Sequence, residues 1–287
     1  MLWHMKGPLL CGVDFSEHSK RALRVARRLA VRLEEPLTVA TALDPLLAHA
    51  AELRFGPGQF VRDTARDLEQ FIAASDPAGT PDLAQAVARV TVGDPPTALL
   101  EVAAAERSSM VIVGTRGLGR AERWWFGSTT AKLLRTSPVP VLAVPDGERH
   151  DGLFARIVCG VDLDDPSTRP AQLAVELARR LGMPIELLHT VRAVAVPAVW
   201  TPVLESMPQE TVAQARLRLE AIATALGVAV PVIVKRGEPV EVLTAYAASD
   251  PVALLVIGLG APAHRPGTTA ERLLAESHAP VLGVPPA

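Results

Sequence analysis

The chain is written twice, and that repeat constrains its fold more than any other feature. The stretch "LLCGVDFSEHSKRALRVARRLAVRLEEPLTVATAL" matches "RIVCGVDLDDPSTRPAQLAVELARRLGMPIELLHTV", setting Cys11 on Cys159, Asp14 on Asp162 and Pro36 on Pro184 at one offset. Further on, "ARVTVGDPPTALLEVAAAERSSMVIVGTRG" matches "VPVIVKRGEPVEVLTAYAASDPVALLVIGLGA", and "GSTTAKLLRTSPVPVLAVP" matches "GTTAERLLAESHAPVLGVP". The unit is about half of the 287 residues, too long for a solenoid repeat and right for a duplicated domain. A polar stretch with turn residues, "PDGERHDGLFA", marks the seam, so we expect one domain over 1–146 and a second over 153–287.

Each half alternates short valine-rich apolar runs with helical patterns. In the first half the strands read "PLLCGVD", "PLTVATAL", "VARVTVG", "SMVIVG" and "VPVLAVP". Ser16 is an N-cap candidate for the helix after the first strand, a second helix is expected from about Gly58 to Ser75, and "PPTALLEVAAAER" carries proline in its first turn. Continuous apolar strands separated by helices indicate a parallel sheet covered on both faces, hence a doubly wound α/β fold. Such sheets bind ligands beyond the carboxyl ends of their strands, where the strand order switches direction.

Composition narrows the function classes. A formal net charge of −2 gives no broad attraction to nucleic acid or to an anionic membrane. No run reaches the roughly 18 apolar residues of a membrane span, and "MLWHMKGPLLCGVDFS" lacks the apolar core of a signal peptide. A soluble cytoplasmic protein is expected. Cys11 and Cys159 each sit inside an apolar strand pattern without a companion at metal-ligand spacing, and read as small buried residues.

The chemistry concentrates in "GTRGLGRAERWWFGSTT", Gly114 to Thr130. Gly114, Gly117 and Gly127 have the spacing G-x2-G-x9-G, followed at once by Ser128. Glycine lets a ligand approach the main chain, and the first amides of the helix that follows lack intrahelical partners and favour an anion. Ser128, Thr129 and Thr130 add hydroxyls; Arg116, Arg120 and Arg123 add charge. Together these make a phosphate cradle without a lysine. There is no G-x-x-x-x-G-K-[ST] loop and no G-x-G-x-x-G after the first strand. Trp124 and Trp125 read as packing residues, and His18 and His264 as capping or solvated groups.

The spaced glycines, "GVDFS" after the first strand and "SPVPVLAVP" at the end together resemble the universal stress protein family in its tandem form. The resemblance covers nearly the whole chain. It implies two five-stranded parallel sheets of order 3-2-1-4-5 and a site for ATP, with ADP and AMP as alternatives and Mg²⁺ accompanying the phosphates. By the same resemblance Asp14 lies on the adenosine side, the backbone near Ala40 and Thr41 meets the adenine, and Gly114, Arg116 and Gly117 line the ribose and phosphates. Gly127, Ser128, Thr129 and Thr130 hold the phosphate chain. It further implies a nucleotide-dependent stress-response regulator that pairs its halves through the last strands, with a homodimer of tandem chains as a further option. The second copy departs from the motif: Ala261 replaces the second glycine, and only eight residues separate Gly258 from Gly267, against twelve between Gly114 and Gly127. We expect it to be a paired structural domain.

No nucleophile–histidine pair or acidic metal cluster stands out, so no catalytic residue is assigned and ATP hydrolysis, where it occurs, is expected to be slow. The rivals are a nucleotide-free interaction module and an adenylating enzyme. The latter is disfavoured because "GVDFSEHS" has one glycine and no phosphate loop.

Overall fold

The computed structural model describes residues 6–75, 86–115, 128–146, 154–165, 167–192, 211–249, 251–260 and 269–286. The first half supplies β1 (Leu9–Gly12), α1 (Glu17–Leu33), β2 (Leu37–Leu43), α2 (Pro45–Phe55), α3 (Gln59–Ala74), β3 (Ala86–Val92), α4 (Pro95–Ala105), β4 (Met110–Gly114), α5 (Ser128–Thr136) and β5 (Val141–Val144). The second supplies β6 (Arg156–Gly160), α6 (Arg169–Leu181), β7 (Ile185–Val191), α7 (Val212–Ala225), β8 (Val232–Arg236), α8 (Pro239–Ala248), β9 (Ala253–Gly258), α9 (Thr269–Glu276) and β10 (Val281–Val284).

Local sequence accounts for most of these boundaries. Ser16 caps α1, its Oγ accepting from the Ser19 amide at 3.1 Å. The buried stripe Ala22, Leu23, Ala26, Leu29, Ala30 and Leu33 then packs the helix on the sheet. Sequence periodicity overlooks α2. Its start signal was present, since Asp44 accepts from the amides of Leu46 and Leu47 and Pro45 occupies the first turn. Its apolar residues form no core stripe: Leu46, Leu47, Leu53 and Phe55 are all exposed, and only Ala48 and Ala51 are buried.

The ten strands form one sheet in the order β3-β2-β1-β4-β5-β10-β9-β6-β7-β8. Each half therefore has the order 3-2-1-4-5. All described pairs are parallel except β5–β10, which runs antiparallel with Leu142 opposite Leu282. Those two leucines correspond in the repeat and are both fully buried. A local two-fold axis relating the halves thus passes through this pair, and each half covers the other's edge strand.

The helices divide between the two faces, and each face has a core that runs unbroken across the seam. One core joins Leu9, Leu23, Leu29 and Leu142 to Leu177, Leu219, Leu282 and Val284; the other joins Val111, Leu133 and Val141 to Leu255, Leu273 and Val281. Gly283 makes room for two leucines at the junction: a Cβ there would lie 2.9 Å from Cδ2 of Leu134 and 2.8 Å from that of Leu259, so the side chains would have to shift. The halves are also pinned by an ion pair. Arg180 on α6 meets Glu35 at 2.8 Å and donates to the Leu33 carbonyl, while Glu35 accepts from the Gly7 amide at 3.0 Å. Cys11 and Cys159 are fully buried, and burial pushes both thiols up, that of Cys159 to about 12. No helix among the described residues is long and apolar enough to cross a membrane.

Candidate functional site

Strand order reverses between β1 and β4, so the first half's crevice opens beyond their carboxyl ends. Asp14 follows β1, Ala40 and Thr41 lie in β2, Gly114 ends β4, and Ser128, Thr129 and Thr130 begin α5. Because β1 sits between β2 and β4, these strand ends are neighbours. Arg116, Gly117 and Gly127 lie outside the described residues, as do Arg120, Arg123, Trp124 and Trp125.

The turn after β1 is tightly built. Phe15 adopts φ +64°, a left-handed conformation that disfavours so bulky a side chain, and its ring meets Phe71 of α3 edge-on at 5.4 Å. Oδ1 of Asp14 accepts from the Ser16 amide at 3.1 Å and from its hydroxyl at 2.5 Å. The Asp14 amide in turn donates to the Ser19 hydroxyl at 3.3 Å. A half-buried carboxylate at the crevice is thereby tied to the cap of α1. Ala40 and Thr41 are buried, at 0% and 4% exposure, and the Ala40 carbonyl accepts the Val13 amide at 2.9 Å. The sheet itself uses the polar group that Ala40 turns toward β1.

At the other wall Ser128 is exposed, Thr129 half-buried and Thr130 buried. The Thr130 hydroxyl donates to the Gly114 carbonyl at 2.8 Å, joining the end of β4 directly to the first turn of α5. Lys132 does not face an open site: its ammonium lies 2.8 Å from Asp94, and that hydrogen bond, then the one from Thr97, holds the Asp94 carboxyl below its ordinary range. Beyond β5, Asp146 is gripped by two residues of α1, His18 with Nδ1 at 3.1 Å and Arg21. Motif reading had left Asp146 and Ser19 aside. A serine three residues beyond Ser16 was the visible signal for one; nothing in the sequence signalled the other.

The second half builds its equivalent crevice differently. Asp162 is exposed, and its Oδ1 accepts from the Asp164 amide at 3.0 Å. His189 takes the place of Thr41; it is buried, with Nδ1 2.8 Å from the Val161 carbonyl, which requires the proton on that nitrogen. Ala270 stands where Thr130 does and has no hydroxyl. Ala261 and Gly267 lie outside the described residues. In both halves a base on the last helix meets an acid at the cap of the preceding one: Lys132 with Asp94, and Arg272 with Glu238 at 3.5 Å. These two contacts brace the last helix against the preceding one in each half.

Two doubly wound halves of strand order 3-2-1-4-5, joined edge to edge, define the α/β class of this chain. A model described as the universal stress protein family matches residues 5–145 and again 153–285, so the chain belongs to that family, with two copies of its domain. Among relatives, it is 31% identical over 136 residues to a universal stress protein of Thermus aquaticus, covering 47% of this chain and 96% of that one. It is 28% identical over 212 residues to a universal stress protein of Mycobacterium tuberculosis, covering 70% of this chain and 71% of that one. The crystal structure of a universal stress protein from Archaeoglobus fulgidus superposes with a TM-score of 0.67 at 19% identity, over 99% of this chain and 98% of that one, a likeness of fold.

Proposed function

We propose that the first half binds ATP, accompanied by Mg²⁺, and that the chain is a cytoplasmic nucleotide-dependent stress-response regulator without a dedicated catalytic centre. The observation that carries this reading is the junction of Gly114 with Thr130, which frames the G-x2-G-x9-G-S segment at the switch point, beside Asp14. The donor set suits a polyphosphate: the exposed Ser128 hydroxyl, the half-buried Thr129, and the first-turn amides of α5, where the helix dipole favours an anion. Gly117 and Gly127 supply backbone approach and Arg116 a charge. Asp14 supplies an acceptor for a ribose hydroxyl or an amino group. Mg²⁺ would ride on the phosphates, since no group of three or more acidic, histidine or cysteine residues among the described residues could hold a metal. ADP and AMP present the same adenosine and less phosphate, so the cradle ranks ATP first. We infer that the second half serves as the permanent partner of the first across β5–β10, and that the domains span 1–146 and 153–287.

Titration calorimetry of MgATP into nucleotide-stripped full chain tests this. We expect one site per chain, weakened about tenfold or more by Ser128→Ala, the cost of losing a charge-assisted hydrogen bond, weakened by Gly117→Ala, whose added methyl obstructs close approach of the ligand to the main chain, and untouched by Thr269→Ala. Two sites would give the second half a function; no binding to folded, stripped protein would overturn the ATP reading.

A further inference from the structure

We infer that Thr130 is a positioning residue: it clamps the base of the glycine-rich connection, and does not donate to the phosphates itself. This rests on the nucleotide reading above and deepens it. A threonine hydroxyl has one proton to donate, and that of Thr130 goes to the Gly114 carbonyl at 2.8 Å, in a place where Thr130 is only 3% exposed. The two residues are the last of β4 and the third of α5. The bond therefore joins the point where the chain leaves the sheet to the point where it re-enters a helix. The bond fixes the end of β4 against the first turn of α5 before a ligand arrives, and walls already in place bind a ligand more tightly than walls that must be ordered by it.

The repeat supplies the control. Ala270 occupies the same position in α9, after a connection four residues shorter, and cannot make the bond. Both residues are buried, at 3% and 9% exposure, so the fold of the second half accepts alanine at this position. Ser128 and Thr129, which are more open, are left as the hydroxyls that face a ligand.

The test compares Thr130→Val, Thr130→Ala and Thr130→Ser in the full chain. Two quantities are read: MgATP affinity, and amide exchange across residues 114–129 in nucleotide-free protein. We expect Val and Ala to weaken binding about fivefold and to speed exchange in that stretch before any nucleotide is added, with Ser restoring both. Unchanged exchange in nucleotide-free Thr130→Val, whatever its affinity, would overturn the clamp; an affinity loss in that case would make the hydroxyl a direct ligand contact. If the parent protein binds no MgATP, the nucleotide reading falls, and the exchange comparison still decides the clamp.

Discussion

The two halves agree in the body of the sheet and part at the carboxyl ends of its strands. Gly12 and Gly160 are equivalent, and each lets a helix leucine approach: a Cβ would lie 2.7 Å from Leu99 at the first and 3.3 Å from Leu243 at the second. The Val13 amide bonds the Ala40 carbonyl just as that of Val161 bonds Leu188, each at 2.9 Å. The crevices share much less. Helix α1 begins at Glu17, whereas α6 begins at Arg169, the equivalent of Arg21, one turn later. Both halves keep the bond from the aspartate to the amide two residues on, Asp14 with Ser16 and Asp162 with Asp164; among the described residues the Ser16 hydroxyl bond to Asp14 and the Thr130–Gly114 bond belong to the first half, where Asp164 and Ala270 stand in the second. The body of the sheet is common to both copies, and the hydroxyl bonds at the strand ends are where they part.

The strongest way to break this comparison is at the shared axis. Leu142→Ala and Leu282→Ala should each cost about 2–5 kcal/mol, as for fully buried leucines, and by similar amounts. Because the two face each other in register, their double mutant should depart from additivity. Denaturant unfolding checks this. Two separate transitions, with only one displaced by each variant, would mean that the halves fold alone and that the continuous core is a contact between finished domains.

A smaller effect sharpens the comparison at the ends of the paired helices. Glu34, at the end of α1, and Gly182, at the end of α6, occupy the same left-handed cap with φ +56° and +64°. Glycine pays no steric penalty there, so Glu34→Gly should stabilise by about 1 kcal/mol and Gly182→Ala destabilise by about the same. Thermal unfolding of both variants reads the sign. A destabilised Glu34→Gly would show that the glutamate side chain holds this end of α1 in a way its exposure does not suggest.

The smallest effect is a pH dependence that should differ between the halves. Asp94 is held below the ordinary carboxylate range by Lys132, so its stabilisation is present above the unfolded value, about 3.9, and is lost as pH falls through the folded one. The melting temperature of Asp94→Asn should lie below that of the parent at pH 7 and converge with it once the pH has fallen through the folded value. Salt should shrink the gap, because the pair is exposed. Glu238→Gln, which removes a longer contact of 3.5 Å, should show a smaller gap. Equal gaps would erase this difference between the braces.

Much of this architecture was legible in the residues. The repeat, the strand runs and the cap at Ser16 are local patterns, set by side-chain period and by which residues satisfy a helix end. The antiparallel meeting of "VPVLAVP" with "APVLGVP" could be offered from the same text, since each would otherwise leave an open edge. Helix α2 escaped because its apolar residues face outward, so that period and burial disagree. At the site, motif spacing marked Gly114 and Thr130 together, and the family resemblance gave the threonine to the phosphates; the bond of its hydroxyl to the Gly114 carbonyl was not visible in the residues. Which acceptor a hydroxyl finds depends on where a strand end sixteen residues away comes to rest, and a local pattern does not carry that. The same holds for Glu35 and Arg180, which are 145 residues apart and meet only because the two-fold arrangement of the sheet brings the end of α1 against α6. Residue order settled what each segment forms; the packing of one segment on another settled which polar groups meet, because a hydrogen bond forms only within about 3 Å and at a suitable angle, and that precision exists only once the core has closed.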